Sequence, residues 1–402
     1  MRQPNEATER YVGKHLKKKP VRKLSAGLIL LLVLALSAVR VSAAYFKLRS
    51  FADLYIGGKN LHTLEDVSQV DFNRTVDRPE DAPVPEKSIL VVEDPAEIPP
   101  SAEHNEKVAL SYNNGTTVVY NGHTYQLNTN LYTVLFMGID TSIHGTEHTI
   151  GTAGQADVIL LIGIDISNGK TTILNISREA YAQVEEYSVN NQFIETRFEQ
   201  LALAYASGNG KETSCENTMR SVSHLLYNLL ETPDGSCRPY LALDMNGIQA
   251  ANETLGGVTV KSKITQLMPD GTDLHEGDLI ELHGANLDRY IRTRTGDVNA
   301  NAARMDRQKQ YMTEFAKLAI ARTRQDLSFP VDLFSSLSPY MVTNLSISEV
   351  TNLSSCFMEH GAQFSFRSID GDYGVLNESA VLYLDEADLF EAVLQMFYLQ
   401  QD

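Results

Sequence analysis

The sequence predicts an α/β fold built on a layered sheet, preceded by one N-terminal membrane-spanning helix. Three observations lead to this prediction. β-prone runs alternate with segments of helical periodicity along residues 131–402. A long uncharged run lies near the N-terminus. The chain of 402 residues, 43% of them hydrophobic, is long enough to bury a large core.

The N-terminal region is predicted to cross a membrane. Residues 1–23 hold eight Lys and Arg against two acids, and residues 24–46 are apolar except for Arg40 and small polar residues. About 20 apolar residues span a bilayer, and the positive-inside rule places residues 1–23 in the cytoplasm. We therefore expect a single-pass protein of the cell membrane with an extracytoplasmic body. A cleaved signal peptide is the alternative, because residues 41–43 (VSA) fit a cleavage site.

Charge and cysteine content narrow the class of protein. The net charge is −17, and residues 1–23 carry +6, so the rest of the chain carries −23. A nucleic-acid partner is not expected for so acidic a body. Cys215, Cys237 and Cys356 show no metal-binding spacing. If one disulfide forms, Cys215 and Cys237 are the pair nearer in sequence.

Residues 47–106 are predicted to be an extracytoplasmic spacer, because residues 76–104 are rich in proline and acidic residues. Residues 107–130 are predicted to form a β-hairpin extension. Two Asn-Gly steps, at 114–115 and 121–122, separate short β-prone runs there and favour tight hairpin turns. Folded structure is therefore expected to start near Lys107.

Residues 131–402 are predicted to form the catalytic domain. Apolar runs predict buried strands, and apolar residues at helical spacing predict helices. The predicted strands cover residues 133–139, 158–166, 171–176, 240–245 and 363–367, and the predicted helices cover 216–230, 285–292, 302–321 and 347–359.

Three polar side chains lie next to predicted strands. Asp140 follows one strand, Asp157 precedes the next, and Arg178 follows a third. Functional groups gather at the ends of strands in α/β sheets, and two carboxylates there can hold a hard divalent cation. The alternative is that each aspartate is a turn or cap residue.

An arginine cluster is the stronger feature. Five arginines fall within residues 289–307, where the local net charge is +3 in an acidic body. Guanidinium groups bind phosphate oxygens in bidentate fashion, so this cluster favours an anionic phosphate ligand. Arg304, Arg307 and Gln308 would share one helix face. A solvated basic face is the alternative. The phosphate-loop and nucleophile-elbow motifs are both missing from the sequence.

At this point the residues resemble the LytR-CpsA-Psr family from about Leu131 to Leu394. The resemblance rests on the order and spacing of several blocks rather than on one motif. The blocks are VLFMGID (134–140), ADVILLIGID (156–165), ILNISREAY (173–181), LAYASG (203–208), LDMNGIQAANETLGGVTV (243–260), LDRYIRTR (287–294) and ARMDRQKQY (303–311).

The resemblance implies an α/β/α layered sandwich with a long apolar pocket for a polyprenyl chain. It also implies that the protein moves a glycopolymer phosphate from a polyprenyl-pyrophosphate carrier to peptidoglycan, with Mg²⁺ at the pocket mouth. By position, Asp140 and Asp157 match the metal-proximal acids, and with Arg178 they are the expected catalytic residues. The expected pyrophosphate-binding residues are Arg292, Arg294, Arg304, Arg307 and Gln308. Asp297 lies in the acidic step before the arginine-bearing helix.

Two departures from the family pattern bear on function. Gln155 stands where many members have an arginine, and Glu179 replaces the aspartate that usually follows the strand-end arginine. Besides the transferase, two alternative functions stay open: a hydrolase that uses water as the acceptor at the same site, or a non-catalytic wall sensor or scaffold that binds lipid or polymer, which Gln155 favours. The expected glycopolymer is a teichoic acid, a capsule polysaccharide or another wall sugar.

Overall fold

The computed structural model describes residues 61, 63–64, 69–74, 76–83, 88–98, 106–141, 150–151, 153–293, 300–326, 328–360 and 363–401. The predicted membrane-spanning helix, residues 24–46, lies outside these residues. Among the described residues, no helix is both long enough and apolar enough to cross a membrane.

Strands and helices follow one another along the chain in a mixed order. The strands are β1 (Ser88–Val92), β2 (Glu106–Tyr112), β3 (Thr117–Tyr120), β4 (His123–Leu127), β5 (Leu131–Ile139), β6 (Ala156–Asp165), β7 (Lys170–Ile176), β8 (Tyr181–Tyr187), β9 (Phe193–Gln200), β10 (Tyr240–Asp244), β11 (Val258–Lys261), β12 (Gln266–Leu267), β13 (Asp273–Leu274), β14 (Leu279–Leu282), β15 (Met341–Thr343), β16 (Gln363–Ser368), β17 (Gly371–Leu376), β18 (Ser379–Leu384) and β19 (Tyr398–Gln400). The α-helices are α1 (Leu203–Ala206), α2 (Glu212–Leu225), α3 (Met245–Leu255), α4 (Gly284–Arg292), α5 (Ala300–Gln325), α6 (Phe329–Leu337), α7 (Ile347–His360) and α8 (Glu386–Phe397).

The central sheet has six strands in the order β15-β10-β5-β6-β7-β16. β5, β6 and β7 form an antiparallel meander, whereas β10 lies parallel to β5 and β16 lies parallel to β7. A turn at residues 166–169 joins β6 to β7, and Gly169 in it has φ of +73°. A connection this short can join only antiparallel neighbours, whereas parallel pairs need a crossover.

Apolar side chains fill both faces of the central sheet. On one face, residues such as Leu135, Leu161 and Leu174 pack against α2 and α8. On the other face, residues such as Phe136, Ile162 and Ile173 pack against α3 through α7. Alternate residues of a strand point to opposite faces. The sheet is therefore buried between two helical layers, as an α/β layered fold requires.

The N-terminal extension is larger than the predicted hairpin. The two Asn-Gly turns are present, with Asn114 at φ of +54° and Asn121 at φ of +52°. β2, β3 and β4 join a five-stranded sheet of order β1-β2-β3-β4-β19. β1 falls inside the segment expected to be a spacer, so folded structure starts before Lys107. The apolar run SILVV forms a strand there although prolines occur on both sides of it.

Two antiparallel ribbons were not expected from the sequence. β8 pairs with β9, and β17 pairs with β18. A parallel bridge between Ala180 and Leu382 brings the two ribbons together. Both ribbons follow the ends of central-sheet strands, since β8 comes after β7 and β17 comes after β16. They therefore lie beside the same edge of the central sheet.

Candidate functional site

Asp140, Asp157 and Arg178 lie at one edge of the central sheet. Asp140 follows β5, Asp157 is the second residue of β6, and Arg178 follows β7. Because β5 and β6 are antiparallel, as are β6 and β7, these three chain positions meet at the same edge. The structure thus brings the three expected catalytic residues to one side of the sheet.

A β-bulge presents Asp157. Gly138 pairs with Val158 and Ile139 pairs with Ala156, so Asp157 is the extra residue between two ladder pairs. Bulges turn a side chain out of the regular alternation and are frequent next to active sites. The Asp157 side chain is exposed as a result.

Residues on both sides of the β5–β6 connection orient the Asp140 side chain. Its Oδ1 accepts hydrogen bonds from the Gln155 amide at 2.8 Å and from Thr141 Oγ1 at 3.0 Å. The absence of a side chain at Gly154 leaves room for the Asp140 carboxylate, because a Cβ at position 154 would lie 2.7 Å from Asp140 Oδ1. Gln155, which replaces the family's usual arginine, contributes backbone groups to this loop.

Arg178 lies between two carboxylates. Its Nη1 forms an ion pair with Asp157, and its Nε donates to Glu179 Oε1 at 3.1 Å. Ser177 Oγ donates to the other oxygen of Glu179 at 2.8 Å. Burial opposes the charged form of Arg178, but the charge of Asp157 and the bond to Glu179 outweigh it and raise the pKa of Arg178. The guanidinium is therefore held in place while its side chain remains 36% exposed.

Ser177 and Glu179 were not predicted as site residues. The local signal that could have identified them is their position, because Ser177 and Glu179 are the residues directly before and after Arg178. Asp244 also lies at this edge, at the end of β10, where it is buried and accepts from the Gly247 amide at 3.0 Å. That contact begins α3.

The arginine cluster divides into buried and exposed members. Arg307 is 1% exposed, donates from Nε to the Tyr290 carbonyl at 2.9 Å, and also bonds to the Thr293 carbonyl. Burial lowers the pKa of Arg307. Arg307 therefore satisfies carbonyls at the end of α4, where helices leave acceptors unpaired. Its predicted phosphate contact would require a rearrangement of these bonds.

Arg292 is exposed, and its Nε lies 3.9 Å from Asp288 Oδ1, one helical turn earlier. Arg294, Asp297 and the side chains of Arg304 and Gln308 lie outside the described residues. Within the described part of the chain, no hydrogen bond or ion pair joins Arg292 or Arg307 to the sheet-edge group. Their convergence on one phosphate stays a prediction.

The residues at the sheet edge are compatible with Mg²⁺. Mg²⁺ takes oxygen ligands and commonly uses one or two carboxylates together with substrate phosphates and water. Asp140 and Asp157 supply such carboxylates on an exposed edge. The described residues contain no cluster of three or more acidic, histidine or cysteine side chains suited to a metal. A cation here would thus need ligands beyond protein carboxylates.

The cysteines are free in this structure. Cys215 and Cys356 are buried, and Cys237 is partly buried. Burial raises the pKa of the Cys237 thiol to about 12, which keeps it protonated and unreactive. The cysteines therefore add no nucleophile to the candidate site.

Comparison with known proteins identifies relatives of the chain. The profile of the LytR_cpsA_psr family matches residues 97–396. Biofilm regulatory protein A of Streptococcus mutans is 25% identical over 227 residues, which cover 55% of this chain and 51% of that protein. The teichoic acid transferase TagU of Oceanobacillus iheyensis, named for transfer from polyisoprenyl-teichoic acid to peptidoglycan, is 25% identical over 171 residues. That match covers 41% of this chain and 47% of TagU.

The chain spans about half the length of the curated relatives it matches. Among solved structures, a protein from Streptococcus agalactiae is similar to this chain, with a TM-score of 0.49 and 23% sequence identity. The similar region covers 67% of this chain and 87% of that protein.

Proposed function

The chain belongs to the LytR_cpsA_psr family, and we propose that it is a membrane-anchored, extracytoplasmic phosphotransferase acting on the cell wall. Its donor would be a glycopolymer linked to a polyprenyl-pyrophosphate carrier, and its acceptor would be peptidoglycan. The observation that supports this proposal most directly is Arg178, held by Asp157 and Glu179 but still open to solvent. The transferase activity that TagU is named for is consistent with it.

The proposed reaction is a displacement at phosphorus. A hydroxyl oxygen of the wall glycan attacks the phosphorus attached to the glycopolymer, and a new P–O bond forms there. The P–O bond to the carrier breaks, and polyprenyl phosphate leaves with the bonding electrons. The hydroxyl proton passes to a carboxylate, for which Asp140 and Asp157 are the candidates.

Arg178 would stabilise the transferring phosphate. Phosphoryl transfer depends mainly on positioning and on neutralising charge at the phosphate oxygens. An entering phosphate would compete with Asp157 for the Arg178 guanidinium, since both are anions. The exchange would free an Asp157 oxygen beside the reacting hydroxyl. Binding of the donor would therefore make that oxygen available to accept the hydroxyl proton.

Mg²⁺, if held by Asp140 and Asp157, would neutralise further charge on the phosphate oxygens. The exposed Arg292 is a candidate to bind the donor's second phosphate, together with Arg294 and Arg304. The carrier chain would lie along apolar side chains, and the predicted N-terminal helix would hold the enzyme at the membrane that contains its donor.

A product analysis tests the proposed function. The full chain, in detergent, is incubated with a lipid-linked saccharide pyrophosphate, Mg²⁺ and a peptidoglycan oligomer, and the products are identified by mass spectrometry. A saccharide-phosphate-peptidoglycan conjugate is the expected result. Free saccharide phosphate without conjugate would instead indicate a hydrolase. Bound lipid without either product would indicate a sensor or scaffold. Either of these two results would overturn the proposed transferase function.

A further inference from the structure

An exposed apolar surface lies beside the candidate site and has no role in the chemistry described above. Tyr373 and Val375 on β17 are 61% and 69% exposed. They are two residues apart on one strand and therefore point to the same face. The ring and its apolar neighbour are thus open to a ligand.

Strand pairing connects this surface to Arg178. Tyr373 pairs with Leu382 on β18, and the Leu382 amide donates to the Glu179 carbonyl at 2.7 Å. Neighbouring strands lie about 5 Å apart, so Tyr373 is about 10 Å from the backbone of Glu179. Partial burial and the charge of Glu179 raise the pKa of Tyr373, in agreement with this proximity. The surface therefore adjoins the residues that hold Arg178.

The charges around the surface favour a neutral ligand. Leu382 and Ala380, the β18 residues paired with Tyr373 and Val375, share this face and are uncharged, whereas Asp372 points to the opposite face. These four side chains supply no positive charge to pair with an anionic polymer, so the face suits a neutral ligand better. A sugar ring is neutral and presents a face of C–H groups, which buries apolar area against an aromatic ring.

We propose that Tyr373 and Val375 form a binding surface for a neutral saccharide chain, with Tyr373 stacking on a sugar ring. The inference rests on the proposed function, because it assigns this surface to the wall glycan that accepts the phosphate. Because Tyr373 lies about 10 Å from the backbone of Glu179, a chain of several sugars bound there would be long enough to reach Arg178. The surface orients the acceptor and takes no part in proton transfer.

The chain contains no tryptophan, so a single introduced tryptophan reports on this surface alone. In the full chain with Tyr373→Trp, held in a detergent without sugar, chitotetraose is titrated as a neutral glycan probe. A saturable change in tryptophan emission is the expected result. Tyr112→Trp is the matched control, because Tyr112 is an exposed strand tyrosine in the separate N-terminal sheet. No change is expected there.

N-Acetylglucosamine 1-phosphate is titrated in parallel as an anionic probe. Binding of this probe in preference to chitotetraose would assign the surface to the donor and overturn the proposal. Equal responses at residues 373 and 112, or no response at residue 373, would also overturn it. Because the readout is binding, it gives an answer even if the chain transfers no phosphate.

Activity provides the second measurement. In the transfer assay, Tyr373→Ala should raise the KM for the glycan acceptor about 2- to 10-fold, the range expected for one aromatic contact, with little change in kcat. Tyr112→Ala should change neither value. A fall in kcat at unchanged KM would show that Tyr373 does not act by binding the acceptor. Thermal denaturation of both variants checks that the fold is intact.

Discussion

Arg178 is the single residue on which the proposed chemistry depends most. We expect Arg178→Ala to lower the rate of conjugate formation at least about 100-fold, because a preorganised positive charge at the phosphate is lost. The matched control is Arg197→Ala. Arg197 also pairs with two carboxylates, Glu186 and Glu195, but lies on the β8–β9 ribbon. The control should keep wild-type activity, and equal losses in both variants would exclude a specific role for Arg178.

His224 is predicted to make stability depend on pH. Burial, followed by the positive charge of Arg74, lowers the pKa of His224 to about 4 in the folded chain. The unfolded chain binds this proton near pH 6.5. Above about pH 6.5 His224 is neutral in both states and does not reduce the free energy of unfolding. As the pH falls from about 6.5 towards about 4, the unfolded chain binds the proton first, and the free energy of unfolding decreases. We expect a loss of at most about 2 kcal/mol, since solvent reaches part of the ring.

Denaturant unfolding at pH 7.5 and pH 4.5 measures this effect. His224→Gln should unfold with a weaker dependence on pH than the wild type. His275→Gln changes an exposed histidine and serves as the control, which should follow the wild type. A wild-type pH dependence in His224→Gln would show that other groups cause the acid sensitivity.

At the scale of elements, one buried arginine joins α5 to the end of α4. Arg307→Ala leaves the carbonyls of Tyr290 and Thr293 without their donor and is expected to cost about 2–4 kcal/mol of unfolding free energy. Arg292→Ala, on an exposed face, should change stability by less than about 0.5 kcal/mol. Urea denaturation measures both. A stable but inactive Arg307→Ala would instead support its predicted phosphate contact.

The strands of the central sheet could be predicted because they are continuous apolar runs. β5, β6 and β7 lie where their sequences placed them, and the edge that carries Asp140, Asp157 and Arg178 follows from those strand ends. The β8–β9 ribbon could not be predicted in this way. β9 (FIETRFEQ) is mostly exposed, so its sequence has no buried face to mark it. Its pairing depends on contacts distant in sequence.

Two features of the site could not be read from sequence for a different reason. The bulge at Asp157 depends on the register between two strands, and register is a property of the pair. The burial of Arg307 depends on how α5 meets α4. Composition shows that arginines are concentrated there, but tertiary packing decides which of them is free to bind phosphate.

At the scale of the whole molecule, strand β19 connects the N-terminal sheet to the core of the central sheet. β19 pairs with β4, and α8, which precedes β19, packs into the core beneath the central sheet. Lys107 and Tyr120 on the N-terminal sheet both contact Glu391 of α8, at 2.6 Å and 3.0 Å. We infer that the N-terminal sheet and the central sheet unfold together, in one transition.

A pair of neighbouring residues on β19 tests this coupling. Tyr398 is 5% exposed, and its hydroxyl donates to the Gly115 carbonyl at 2.6 Å, whereas Leu399 is 41% exposed. Tyr398→Ala should cost about 3–5 kcal/mol and lower the Tm by at least about 5 °C, because a large buried ring is lost. Leu399→Ala should lower the Tm by less than about 2 °C, because its side chain already contacts solvent. Calorimetry of both variants should show one transition that shifts as a whole. A separate low-temperature transition in Tyr398→Ala alone would mean that the N-terminal sheet unfolds independently and that β19 does not couple it to the central sheet.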